Sequence, residues 1–173
     1  MQGIPLNERK RLGALLDDRP QTEVMAMIPQ FSQAETDNFV APPAKIPEAL
    51  GVLMFNMERG VNLPEIQEFL RDCPDIQPFD VILANELDDG CARSGNKNTA
   101  RELAQAFGLN YAWGLEFIEL VNDENAKGFH GNAVFSRWPI RRAGVIRLPE
   151  QYNWYFDRQK RIGGRLAVFA ELD

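Results

Sequence analysis

Asp80-Val81-Ile82-Leu83-Ala84-Asn85-Glu86-Leu87-Asp88-Asp89-Gly90 is the stretch on which the reading of this chain turns. The aliphatic run Val81 to Ala84 suits a strand buried in the interior of a sheet, and the run of polar residues after it marks the strand's exit. A carboxylate delivered there costs free energy unless it is paired or binds something. Glu86 is therefore where chemistry is expected.

Upstream, Val52-Leu53-Met54-Phe55 is a second apolar run, ending in Asn56-Met57-Glu58-Arg59-Gly60. Between the two runs, Leu63, Ile66, Phe69 and Leu70 fall on one helical face, with Pro64 in the first turn where it is tolerated. Strand, helix, strand in this order predicts an α/β fold and places Asn56 and Glu86 at equivalent strand ends, facing one crevice. Downstream, Cys91 to Asn98 reads as a polar loop, and Thr99 to Phe107 as a helix closed by Gly108. Tyr111 to Val121 reads as a strand carrying Glu116 and Glu119. Their odd spacing puts them on opposite faces of an unbulged strand, one toward the site and one toward solvent. His130 to Ile140 is a further strand, Ala143 to Leu148 continues the meander, and Arg161 to Asp173 is a final strand preceded by Tyr152, Trp154, Tyr155 and Phe156. Residues 1–49 read as an N-terminal arm of two short helices and a linker holding Pro42, Pro43 and Pro47, leaving 50–173 as the main domain.

With 173 residues, 45% of them hydrophobic, the chain can bury one sizeable core. A net charge of −6 argues against a nonspecific hold on long duplex nucleic acid, so an anionic substrate would need a local basic patch or a metal. Arg137, Arg141, Arg142, Arg147, Arg158, Lys160, Arg161 and Arg165 form either such a patch or an ordinary solvated face. Cys73 and Cys91 have neither disulfide-framework nor metal-ligand spacing and are expected to be reduced thiols. There is no secretory signal pattern and no apolar run of bilayer length, so a cytoplasmic location is expected. Gly-rich phosphate loops, zinc spacings, nucleophile elbows and long-period repeats are also missing, which removes several enzyme classes.

Five pieces, VLMFNMERG (52–60), FDVILANELDDG (79–90), FGLNYAWGLEFIEL (107–120), FHGNAVFSRWPI (129–140) and GGRLAVFAEL (163–172), resemble in order and spacing the endonuclease/exonuclease/phosphatase superfamily across Leu50 to Asp173. The resemblance implies a partial four-layer αββα sandwich, with a mixed sheet and flanking helices. It also implies a divalent-metal-dependent phosphoesterase using Mg²⁺ or Mn²⁺ to hydrolyse a phosphodiester or phosphomonoester with water. Asn56 matches the family's active-site Asn, which orients the phosphate, and Glu86 matches its metal-binding Glu. Mg²⁺ suits such a site because it takes hard oxygen ligands, keeps several waters and is often held by one or two carboxylates.

The competing reading of Glu86 is an ion pair with Arg59 or Arg93. Arg93, Asn96 and Asn98, beside Asp88 and Asp89, either line the substrate cleft or form an ordinary polar loop. His130 and Asn132 are kept among possible substrate contacts, although a lone His at a strand entry more often caps a turn or meets a carboxylate such as Glu116 than serves as general base. The family's later motifs, including its G-D-x-N and terminal Asp-His, do not occur here. The resemblance therefore covers the N-terminal half of that domain, places no general base and implies weak activity for this chain alone. The alternative is a non-catalytic binding or assembly module that keeps a half-fold. An apolar sheet face would then be covered by a homodimer partner, a missing C-terminal half or the N-terminal arm. The substrate type stays open.

Overall fold

The computed structural model describes residues 1–150, 152–156 and 158–173. It is a mixed α/β protein. Helices α1 (Leu6–Ala14) and α2 (Gln21–Ala26) lead into strand β1 (Ala34–Asp37). Then come β2 (Val52–Arg59), α3 (Leu63–Asp72), β3 (Val81–Asp89), α4 (Thr99–Phe107), β4 (Asn110–Glu119), β5 (Phe129–Ser136), β6 (Ile140–Arg147), β7 (Arg161–Gly163) and β8 (Leu166–Leu172). The main sheet runs β1-β4-β5-β3-β2, with β7 pairing the end of β4, and β6 pairs β8 in a second sheet. Only β2 and β3 run parallel, because α3 crosses between them; the other pairs are antiparallel.

Alternation along the strands sorts the two faces. On β5, Phe129, Gly131, Ala133 and Phe135 turn to the helical side, where Trp113, Tyr111, Leu115, Ile82, Leu87 and Leu103 share one core with Leu12, Leu16, Val24 and Phe31 of the first 49 residues. His130, Asn132 and Val134 turn to the other face, onto which β6 and β8 pack against β4 and β5. A Cβ on Gly114 would stand 2.9 Å from Val168 and 3.0 Å from Val145, which measures how closely the two sheets approach. Over β2 and β3 this face is not covered, and Val52 (57%), Met54 (74%) and Leu83 (39%) are exposed there.

Three details differ from the sequence reading. Within the stretch expected to be linker, Ala34–Asp37 pairs with Tyr111 to Gly114 of β4 and extends the main sheet. The expected final strand is two, β7 in the main sheet and β8 in the second, separated by Gly164 and Arg165. The late cationic residues do not form one patch. Arg147 is drawn inward by the carbonyls of Phe31 and Gly164 (2.9 and 3.0 Å) and of Leu115, and its burial pushes its pKa down to about 10. Arg141 and Arg142 pair with Glu171, Arg137 with Asp80, Arg161 with Glu119 and Arg165 with Glu116.

Candidate functional site

The site is built where the sheet breaks its own register. On β3, Ala84 opposes Ala133 and Leu87 opposes Gly131, so Asn85 and Glu86 together oppose the single residue Asn132. On β2, Met57 and Glu58 together oppose Glu86, and on β4 Glu116 is an extra residue between Leu115 and Phe117. Three neighbouring strands thus bulge at one level, and such bulges re-aim side chains near functional sites. On β3 the extra residue lets Ala84 and Leu87, three apart, both reach the core, while Asn85 and Glu86 stay out of it. Glu86 adopts φ 59°, a left-handed conformation that costs a non-glycine residue on the order of 1–2 kcal/mol. Its backbone N–H donates to Asn132 Oδ1 at 3.1 Å.

Asn56 is the register partner of Asn85, and Asn85 and Glu86 together oppose Asn132, so the four residues lie at one level of three adjacent strands. Asn56 Oδ1 accepts the N–H of Glu58 at 2.8 Å, bracing a turn in which Glu58 and Arg59 both have positive φ. Glu86 is a half-buried residue, and no hydrogen bond or ion pair holds its carboxylate among the described residues. The guanidinium expected to neutralise it is engaged elsewhere. Arg93 grips Asp88 through Nε (2.7 Å) and Nη2 (2.9 Å) and reaches Glu119 at 3.0 Å.

Beyond the bulge lies a buried charge network. Asp88 is fully buried, accepts both Arg93 bonds and one from Ser94 Oγ (3.2 Å), and lies 2.8 Å from His130 Nδ1. Burial would raise its pKa, but the hydrogen bonds from Arg93 and His130 outweigh that and hold it below the usual aspartate range. His130 is 2% exposed, its Nε2 facing Glu116 Oε2 at 3.9 Å. Trp154 and Arg165 cover this end through the Phe117 ring, at 5.1 and 5.7 Å. Glu116 and Glu119 are both buried, against the expectation of one solvent-facing carboxylate, because the bulge at Glu116 breaks the alternation on which that expectation rested. Cys91 is also sealed in. Its Sγ donates to Phe129 O at 3.3 Å, and burial, aided by the charge of Asp88, pushes the thiol far up.

Asn96 and Asn98 lie away from this face and are spent on structure. Asn96 bridges to Glu124 O (3.1 Å) and the Ala126 N–H (2.9 Å), while Asn98 caps α4 by accepting the Arg101 N–H at 2.9 Å and donates to Glu35 at 2.9 Å. The Asx capping pattern before the helix carried that information. The Asp88–His130 contact had no local signal, since its members are 42 residues apart.

Asn56, Asn85, Glu86 and Asn132 offer hard oxygens, and the free carboxylate fits a cation that keeps most of its water shell. Among the described residues no three His, Cys, Asp or Glu side chains converge as a metal cage. No helix is long and apolar enough to cross a membrane among those residues. No family model, no curated protein and no solved structure matches this chain.

Proposed function

We propose that the chain carries the metal-binding half of a divalent-metal-dependent phosphoesterase, its two sheets and outer helices forming part of a four-layer αββα sandwich. The observation that carries this reading is Glu86, held by a bulge beside the strand that carries Asn56, with its carboxylate unclaimed by any cation among the described residues. A bound Mg²⁺ or Mn²⁺ would supply Lewis-acid neutralisation of charge on the phosphoryl oxygens. Glu86 would hold that ion, while the Asn56 and Asn85 amides donate hydrogen bonds to the phosphate and orient it. Asn132 keeps Glu86 in place through its backbone. His130 is too enclosed, and too committed to Asp88, to take a proton from an attacking water, which supports a site whose base lies on other residues.

The test is Mn²⁺ binding to the purified chain, followed by electron paramagnetic resonance. The expected result is a saturable site whose affinity falls at least tenfold in Glu86→Gln, together with any Mg²⁺-dependent hydrolysis of an activated phosphodiester. Equal binding by both proteins overturns the assignment. A non-catalytic assembly module is the second reading, supported by the exposed Val52, Met54 and Leu83 beside Asn56. A chain that stays monomeric at high concentration in light scattering counts against it.

A further inference from the structure

A cavity of about 320 Å³ lies where the N-terminal arm meets the second sheet, and its lining includes neither Asn56 nor Glu86. Small-molecule sites have volumes of about 300–1,000 Å³. Three segments build it: α2 with the turn that follows, the segment leaving β6, and the link between β7 and β8. Met25, Ala26, Ile28, Pro29, Phe31 and Leu148 give it apolar walls. Ile28 and Phe31 are themselves buried in the main core, so the wall they form is fixed before any ligand arrives.

One charged group is set deep among these walls. Arg147 lines the cavity with its guanidinium over the Phe31 ring, 4.7 Å from the ring centre. Its Nε and Nη2 donate to Phe31 O at 2.9 and 2.7 Å, its Nη1 to Gly164 O at 3.0 Å, and its Nη2 also to Leu115 O. These carbonyls fix the fork without neutralising it, and no carboxylate pairs with it among the described residues. Glu116, whose charge it feels, is already paired with Arg165 at 3.0 Å. Burial accordingly pushes the Arg147 pKa down to about 10. A charge drawn out of water without a counter-ion is costly, and a ligand carboxylate would relieve that cost. Glu150 also lines the cavity, but it is exposed and accepts from Gln21 Nε2 at 3.3 Å, so water screens its repulsion.

We propose that this cavity binds a compact apolar molecule bearing a carboxylate, its hydrocarbon part against Met25, Ile28 and Leu148 and its head at Arg147. Four of the five guanidinium N–H groups are used by the carbonyls, which leaves one on Nη1. A monoanion that asks for a single hydrogen bond fits this better than a phosphate dianion. The site is separate from the metal reading, because it uses none of the residues that would hold the cation.

The test is isothermal titration of the full chain with octanoate, octanol and octylamine at pH 7 and constant ionic strength. Octanoate is expected to bind saturably, and at least tenfold more tightly than either of the other two. Ala26→Trp, at an exposed position of the wall, fills the cavity and is expected to weaken octanoate at least tenfold. Ser32→Glu, also exposed and in the lining, adds a carboxylate next to the Phe31 carbonyl that holds Arg147. It is expected to weaken octanoate at least fivefold and to leave octanol within twofold, and it decides the location should Ala26→Trp fail to fold. No saturable binding of octanoate, or binding undiminished by folded Ala26→Trp, overturns the proposal. Binding undiminished by Ser32→Glu, or matched by octanol or octylamine, overturns the acidic head. Glu86→Gln is expected to bind octanoate unchanged. Loss of octanoate in that variant would place the ligand at the strand exits and overturn this cavity without touching the metal reading.

Discussion

Replacing Asp88 by Asn tests whether the buried charge network holds the strand ends together. The change keeps the size of the side chain and removes the charge that receives Arg93 at 2.7 and 2.9 Å and faces His130 Nδ1 at 2.8 Å. Breaking a buried ion pair by removing one partner costs about 3–5 kcal/mol. Arg93 is 29% exposed and keeps Glu119, which places the expected loss at the lower end, about 3 kcal/mol. For a chain of this length that is a fall in Tm of roughly 6–12 °C, read by far-ultraviolet circular dichroism at pH 7. The dependence on pH has a fixed sign. The folded-state pKa of Asp88 is depressed, so its contribution is complete above the unfolded value of about 3.9 and disappears as pH falls through the lower folded value. The gap between parent and variant should therefore be constant from neutral pH to about pH 5 and close in more acidic solution. A variant within about 0.5 kcal/mol of the parent at pH 7, or a gap that stays flat into strong acid, refutes the reasoning.

Glu86→Gly should stabilise the chain by about 1 kcal/mol in urea unfolding, because glycine adopts φ 59° without the left-handed penalty. The same variant should lose the Mn²⁺ site, so stability and function separate at one residue. Gly131→Ala should cost at least about 3 kcal/mol, since its Cβ would stand 2.0 Å from the Gly114 carbonyl oxygen and 2.7 Å from the Trp113 ring, neither of which can retreat. Unfolding within 1 kcal/mol of the parent would show that the strands separate more readily than this packing allows. Thiol titration of the native protein should label Cys73 and leave Cys91 untouched until denaturant is added, because Cys91 is buried with its pKa pushed up. Two reactive thiols in the native state would contradict the sealed environment.

Much of the scaffold was legible because its signals are local. The 3.6-residue spacing of Leu63, Ile66 and Leu70 gives α3, and Gly108, at φ 58°, closes α4 where the sequence placed its end. The candidate site was legible in part. Asn56 and Glu86 lie on adjacent parallel strands, with Asn56 in register with Asn85, the residue before Glu86. The assignment of Asn96 and Asn98 to a cleft had no such support, and both serve loop and helix-cap geometry. The short strand β1 was hidden because Ala34–Asp37 has little apolar periodicity of its own. It is held by pairing to β4 and by Glu35, which accepts from Tyr111 Oη at 2.5 Å.

Taken alone, the amino-acid order determined the helices α3 and α4, the strands β2 to β5, and which polar residues stand at the exits of β2 and β3, but neither β1 nor the division between β7 and β8. Those properties depend on neighbours within a few positions along the chain. Only the folded molecule decided that three strands bulge at one level and that Arg93 takes Asp88 and Glu119 while Glu86 has no ion-pair partner among the described residues. It also decided that His130 is sealed beneath Phe117 and Trp154, and that Arg147 stands in the wall of an apolar cavity. Strand register and charge pairing are long-range choices. Each is settled by competition among partners that are tens of residues apart in sequence and become neighbours only once the sheet has closed over its core.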